Sequence, residues 1–122
     1  MKIETTPIKD LIIINPSVYE DNRGYFFESY NQRFFREQGI YTNFVQDNQS
    51  ISVKGVLRGL HFQWNNPMGK LVRTISGHMV DLILDLRIGS PTQGQIMAFN
   101  MPANSTDGTT SWIWVPEGCA HG

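Results

Sequence analysis

Met79-Val80-Asp81-Leu82-Ile83-Leu84-Asp85-Leu86-Arg87 decides how the chain folds. The residue types alternate as a strand requires, with neighbours on opposite faces. Val80, Leu82, Leu84 and Leu86 fall on one face, which reads as core or subunit interface. Met79, Asp81, Ile83, Asp85 and Arg87 fall on the other, which mixes acids and a base with apolar residues. If that second face meets solvent, this is an ordinary amphipathic strand. If it lines a barrel, Asp81 and Asp85 need cationic or hydrogen-bonding partners, because unpaired buried charge is costly.

Turn signals bracket this strand and recur along the chain. Ser76-Gly77-His78 and Gly89-Ser90-Pro91 flank it, and Lys54-Gly55, Asn65-Asn66-Pro67 and Asn104 to Gly108 punctuate the rest. Between them the pattern predicts strands at 42–47, 50–53, 56–63, 70–76, 95–101 and 111–115. Residues 1–14 read as an entry strand interrupted at Pro7, and the turn Asp21-Asn22-Arg23-Gly24 leads into a strand at 25–29. One short helix is expected near residues 31–38, with Phe34 and Phe35 as its apolar face. Ser29 or Asn31 would cap its start and Gly39 would end it. Many short strands with Gly and Pro turns predict a mainly β sandwich, jelly roll or barrel.

Composition narrows the class. The chain has 122 residues, 40% hydrophobic and 17% charged, with a formal net charge of −1. That is the size of one domain, expected to span 1–122. A near-neutral balance argues against a nucleic-acid partner. No apolar run exceeds the four residues of Leu11 to Ile14, which is strand-sized, so neither a membrane-spanning helix nor a signal peptide is expected. The single cysteine, Cys119, cannot form an intrachain disulfide, which fits a cytoplasmic protein.

Several residues invite a chemical reading. His61 alternates with Gln63 in Gly55-Val56-Leu57-Arg58-Gly59-Leu60-His61-Phe62-Gln63. It is either a hydrogen-bonded structural histidine or a general base, since imidazole titrates near neutrality. Gly59 suggests a bulge in that strand. A two-histidine, one-carboxylate metal site from His61, His121 and Asp81 is conceivable. The histidines have no metal-binding spacing, however, and there is no nucleophile elbow or phosphate-binding glycine loop. Cys119 reads as a packed thiol, Trp112 and Trp114 as core or subunit contact, and His78 as a solvent-facing turn residue. Asp85 and Arg87 read as a structural pair.

Taken in order, these blocks make the chain resemble the dTDP-4-dehydrorhamnose 3,5-epimerase family. The matching stretches begin with Asp21-Asn22-Arg23-Gly24-Tyr25-Phe26-Phe27-Glu28 and Gln46-Asp47-Asn48-Gln49-Ser50-Ile51-Ser52. The block 55–63 follows, then Lys70-Leu71-Val72-Arg73 and 81–87. Gly89-Ser90-Pro91-Thr92 and Val115-Pro116-Glu117-Gly118-Cys119-Ala120-His121-Gly122 complete the set. The resemblance implies a cupin jelly roll that epimerises a nucleotide-linked 4-keto-6-deoxyhexose at C3 and/or C5, without cofactor or metal. It implies that His61 is the general base and that Lys70 stabilises the enolate. Arg23, Glu28, Gln46, Asn48, Arg58 and His121 would hold the nucleotide diphosphate-sugar, and Phe26 would stack on its base. Asp81 would support the site as an acid near the lysine. A homodimer is implied as well.

The chain also departs from the family pattern. Trp64-Asn65-Asn66-Pro67-Met68-Gly69-Lys70 lacks the usual glutamine before the lysine, and Gln49 stands where histidine is common. The family continues beyond the point matching Gly122, and that part holds the general-acid tyrosine and the aspartate that orients the base. The expectation is therefore a domain lacking its C-terminal part. The alternative functions are a catalytically impaired nucleotide-sugar-binding cupin without the acid, or a metal-dependent cupin.

Overall fold

The computed structural model describes residues 1–103 and 111–122; the predicted turn at Asn104 to Gly108 lies outside the described residues. In chain order the elements are β1 (Lys2–Thr5), β2 (Ile12–Asn15), β3 (Val18–Asp21), β4 (Gly24–Phe27) and α1 (Gln32–Glu37). They continue with β5 (Lys70–Val72), β6 (His78–Asp85), β7 (Ile96–Pro102), β8 (Trp112–Val115) and β9 (Cys119–His121). One antiparallel sheet runs β1-β2-β8-β5, a second runs β7-β6-β9, and β3 and β4 form a separate hairpin.

The central strands β2 and β8 of the first sheet are covered on both faces, which explains why Ile12-Ile13-Ile14 and Trp112-Ile113-Trp114-Val115 are apolar without alternation. On one face Leu11, Ile113 and Val115 pack with Ile83, Phe99, Met101 and Cys119 from the second sheet. On the other, Ile14 and Trp112 pack against Phe35 and Ile40. Each large side chain buried this completely contributes about 1.5–3 kcal/mol relative to exposure. The helix belongs to the second cluster. It is too short to stand alone, and Phe35 anchors it from a fully packed position. Asn31 caps it by accepting the Phe34 N–H at 3.1 Å, and Gly39, at φ +84°, ends it.

The ambiguity of the strand at 79–87 is resolved against simple hydropathy. Asp81, Ile83 and Asp85 face the interior and are buried, whereas Val80 on the leucine face is 50% exposed. Each acid has a partner. Asp85 accepts from the Arg87 guanidinium at 2.9 Å and from the Ser90 and Thr92 hydroxyls, each at 2.7 Å. Arg87 reaches on to the Lys9 carbonyl at 2.6 Å and to Asp10 at 3.3 Å, so one guanidinium ties the end of β6 to the β1–β2 connection. Beside it, Leu86 N–H donates to the Gly118 carbonyl at 3.2 Å. Gly118 has no room for a side chain there, since a Cβ would lie 2.5 Å from Arg87 Cγ.

Several predicted strands do not form. The entry segment is a hairpin of β1 and β2 rather than one strand, and β3 and β9 were not predicted as strands. The segments 42–47, 50–53 and 56–63 are not strands. Their alternation is sound, but strand propensity expresses fit to a neighbouring half-buried sheet. Here no described strand lies alongside them except at one point, where His61 bridges His121. The region is accordingly exposed, including Val45 at 95% and Ile51 at 92%. Gly59 is a site of close backbone approach rather than a bulge, because a Cβ there would lie 2.9 Å from the Gly122 Cα and the His121 carbonyl oxygen.

The Asp85 cluster has a measurable signature. Hydrogen bonding from Arg87 holds the Asp85 carboxyl well below the usual carboxylate range, against the opposing effect of its burial. The unfolded chain therefore takes up a proton there first, and the stability is present above the unfolded carboxylate pKa of about 3.9 and lost as pH falls further. Asp85→Asn should cost about 2–3 kcal/mol at pH 7, since it removes the charge that a partly buried guanidinium and two hydroxyls bond to, while Arg87 keeps Asp10 and the Lys9 carbonyl. The gap between variant and wild type in urea unfolding should narrow from pH 5 toward pH 2; a constant gap would contradict the assignment.

Candidate active site

The register of β9 builds the centre of the site. His121 lies opposite Ile83 of β6, so its side chain shares the interior face of Ile83 and of Asp81 two residues away. On the other side of β9, His61 and His121 exchange both backbone bonds, at 2.8 and 3.0 Å. Such a hydrogen-bonded pair sets the two Cα atoms about 5.5 Å apart with side chains on a common face. Asp81, His121 and His61 therefore run across three adjacent backbones. The Asp81 carboxylate is buried, and both its oxygens lie 3.2 Å from His121 Nδ1.

The facing sheet supplies Lys70. It pairs with Val115 at the start of β5, and Val115 lies in the inter-sheet core beside Ile83 and Cys119, so the lysine shares that interior face. Burial lowers the pKa of its ammonium, while the nearby Cys119 and Asp81 oppose that shift. Burial likewise pushes the Cys119 thiol up, so it is a packed thiol and not an activated one. At Gly69 a Cβ would fall 2.2 Å from the Trp114 ring, so glycine is required there for the tryptophan to close over the chain.

The remaining predicted binding residues stand apart from this centre and are exposed. Arg23 is engaged with Asp21 at 2.6 Å across the β3–β4 turn, Phe26 is 71% exposed, and Glu28 accepts from Asn31 at 3.1 Å. Gln46 donates to Asn48 at 3.1 Å. The Arg58 side chain donates to Ser52 at 2.8 Å and to the Ile51 carbonyl at 3.3 Å. Its backbone adjoins the centre, because a Cβ on Gly122 would lie 2.2 Å from the Arg58 carbonyl oxygen. His61, His121 and Asp81 share a face, yet no group of three such side chains among the described residues could hold a metal ion. No described helix is long and apolar enough to cross a membrane.

Two features of the centre escaped sequence reasoning. The direct partner of Asp81 is His121, a diagonal contact set by the β6–β9 register, and β9 was not foreseen as a strand. The glycines at 59, 69 and 122 mark close approaches whose partners lie far away in sequence.

Known proteins are similar to this chain in sequence and in fold. The family model for dTDP-4-dehydrorhamnose 3,5-epimerase matches residues 5–122. A dTDP-4-dehydrorhamnose 3,5-epimerase of Methanothermobacter thermautotrophicus is 48% identical over 117 residues, covering 96% of this chain and 61% of that protein. The Pseudomonas aeruginosa protein of the same name is 48% identical over 123 residues, covering all of this chain and 66% of its own length. The chain thus spans somewhat under two-thirds of these relatives. The crystal structure of dTDP-6-deoxy-D-glucose-3,5-epimerase from Legionella pneumophila, in complex with dTDP-4-keto-L-rhamnose, matches with a TM-score of 0.90. It is 43% identical and covers 98% of this chain and 62% of that one. The two facing sheets are thus those of a cupin jelly roll, and the chain belongs to the dTDP-4-dehydrorhamnose 3,5-epimerase family.

Proposed function

We propose that residues 1–122 form one cupin epimerase-like unit acting on a nucleotide-linked 4-keto-6-deoxyhexose, inverting C3 and/or C5. One observation supports this most: Lys70 from one sheet and Asp81 and His121 from the other face a common interior, with the exposed His61 bridged to His121 at its edge. The relative from Legionella pneumophila was solved with a sugar of this kind bound. Protons at C3 and C5 are α to the ketone. His61 takes one of them as general base while the Lys70 ammonium stabilises the developing enolate oxygen. Partial burial favours that role, because a less hydrated cation acts through a lower local dielectric. Reprotonation from the opposite face, by the general-acid tyrosine that the family carries beyond the point matching Gly122, inverts the centre with no net redox change. In this reading Arg23, Glu28, Gln46, Asn48, Arg58 and His121 hold the nucleotide diphosphate-sugar, and Phe26 stacks on its base. Arginine suits the diphosphate because its planar fork donates two hydrogen bonds at once.

The working form is proposed to be a cytoplasmic homodimer. Support comes from the apolar side chains left exposed on the extended region, Val45, Ile51, Val53, Leu57 and Trp64 among them, which a second copy would cover.

These assignments separate in experiment. With a dTDP-4-keto-6-deoxy sugar in D2O, His61→Ala should abolish deuterium incorporation at C3 and C5; unchanged exchange removes His61 as the base. Lys70→Met should lower kcat by about 100-fold or more while KM moves much less, because enolate charge develops only in the transition state. A loss confined to KM would make Lys70 a binding residue instead.

A further inference from the structure

Asp81 is only 3% exposed, yet its carboxylate is not paired with the cation its position would suggest. Both oxygens instead approach one atom, His121 Nδ1, at 3.2 Å. Ionised carboxylate oxygens only accept hydrogen bonds, so Nδ1 must carry the proton. That leaves Nε2 as the ring nitrogen available to a ligand. The position from which the ring reaches Asp81 is set by its backbone, which is fixed on both sides. Its strand pairs with β6 through Ile83, and its N–H and carbonyl are both bonded to His61. The adjoining Gly122 is bonded to Leu82 in both directions, at 2.8 and 3.1 Å. Burial of the carboxylate excludes the water that would otherwise compete for Nδ1.

We infer that Asp81 is the positioning residue of His121, locking its proton on Nδ1 and presenting Nε2 beside His61 toward the substrate. In the functional reading above, on which the ligand part of this inference rests, Nε2 meets an oxygen of the diphosphate. The ring then donates from Nε2 when protonated, with its counter-charge already in place at Asp81. A carboxylate set behind a histidine fixes tautomer and orientation in the way carboxylates do behind metal-binding histidines. Asp81 itself touches no substrate. Its influence on binding passes through His121.

The direct test is the tautomer of His121 in the 15N-labelled chain, read from long-range 1H–15N spectra at a pH where the ring is neutral. The inference predicts the proton on Nδ1. A proton on Nε2, or an even mixture, overturns it. This readout needs no substrate, so it stands even if the chain proves not to bind nucleotide sugars. The second test is a double-mutant cycle on dTDP affinity. Asp81→Ala should raise Kd about tenfold, the scale of one hydrogen bond to a charged group, and Asp81→Asn, which keeps an acceptor without the charge, should fall between. In a His121→Gln background the same Asp81 changes should alter Kd by less than about twofold, because the interaction they remove is already gone. Full additivity would mean that Asp81 acts through the fold at large, and would overturn the positioning role. Should Asp81→Ala fail to fold, the Asn variant completes the cycle.

Discussion

The pairing of β9 with β6 is the constraint from which the rest of the site follows. Three residues, Cys119 to His121, sit against Asp85 to Ile83. One step of slip would turn every side chain of β9 to the opposite face. His121 would then leave Asp81, and Cys119 would leave the core. The register is held at one end by the Asp85–Arg87 cluster and the Leu86–Gly118 bond, and at the other by the reciprocal bonds of Leu82 and Gly122. His61 has no strand of its own. It is placed by its bridge to the same three-residue strand.

This arrangement divides the labour between the two buried acids of β6. Asp85 is spent on structure: it is saturated by an arginine and two hydroxyls and pins the turn that follows. Asp81 lies four positions earlier on the same face and holds a histidine at the open end of the interior. Its charge also acts on Lys70 across the gap between the sheets. A single carboxylate thus bears on two of the groups assigned to substrate, which makes the site a coupled unit rather than a set of independent side chains.

Much of the fold was legible in local pattern. The helix could be read from Asn31, Phe35 and Gly39, because capping and termination are local chemistry. The strands later found as β6, β7 and β8 were legible from alternation and flanking turns. The segment 42–63 was misread as strands, since its alternation is real but what it would pair with is not a local property. For the same reason β9 was passed over: three residues carry too little periodicity, and its strand character comes wholly from its neighbours. Within the site, the family blocks pointed to His61, Lys70, Asp81 and His121. Asp81 and His121 were already grouped as a conceivable metal cluster, but their direct pairing was not legible, because it depends on a register joining residues forty positions apart.

The central claim is that the inter-sheet interior lined by Lys70, Asp81 and His121, with His61 alongside, receives the keto sugar. A crystal structure of the chain with a dTDP-4-keto-6-deoxy sugar tests it most directly. The account predicts the Lys70 ammonium within about 2.7–3.2 Å of the ketone oxygen and the His61 imidazole against the hydrogen at C3 or C5. A sugar seated outside that interior, with Lys70 and His61 remote from the ketone, would contradict it.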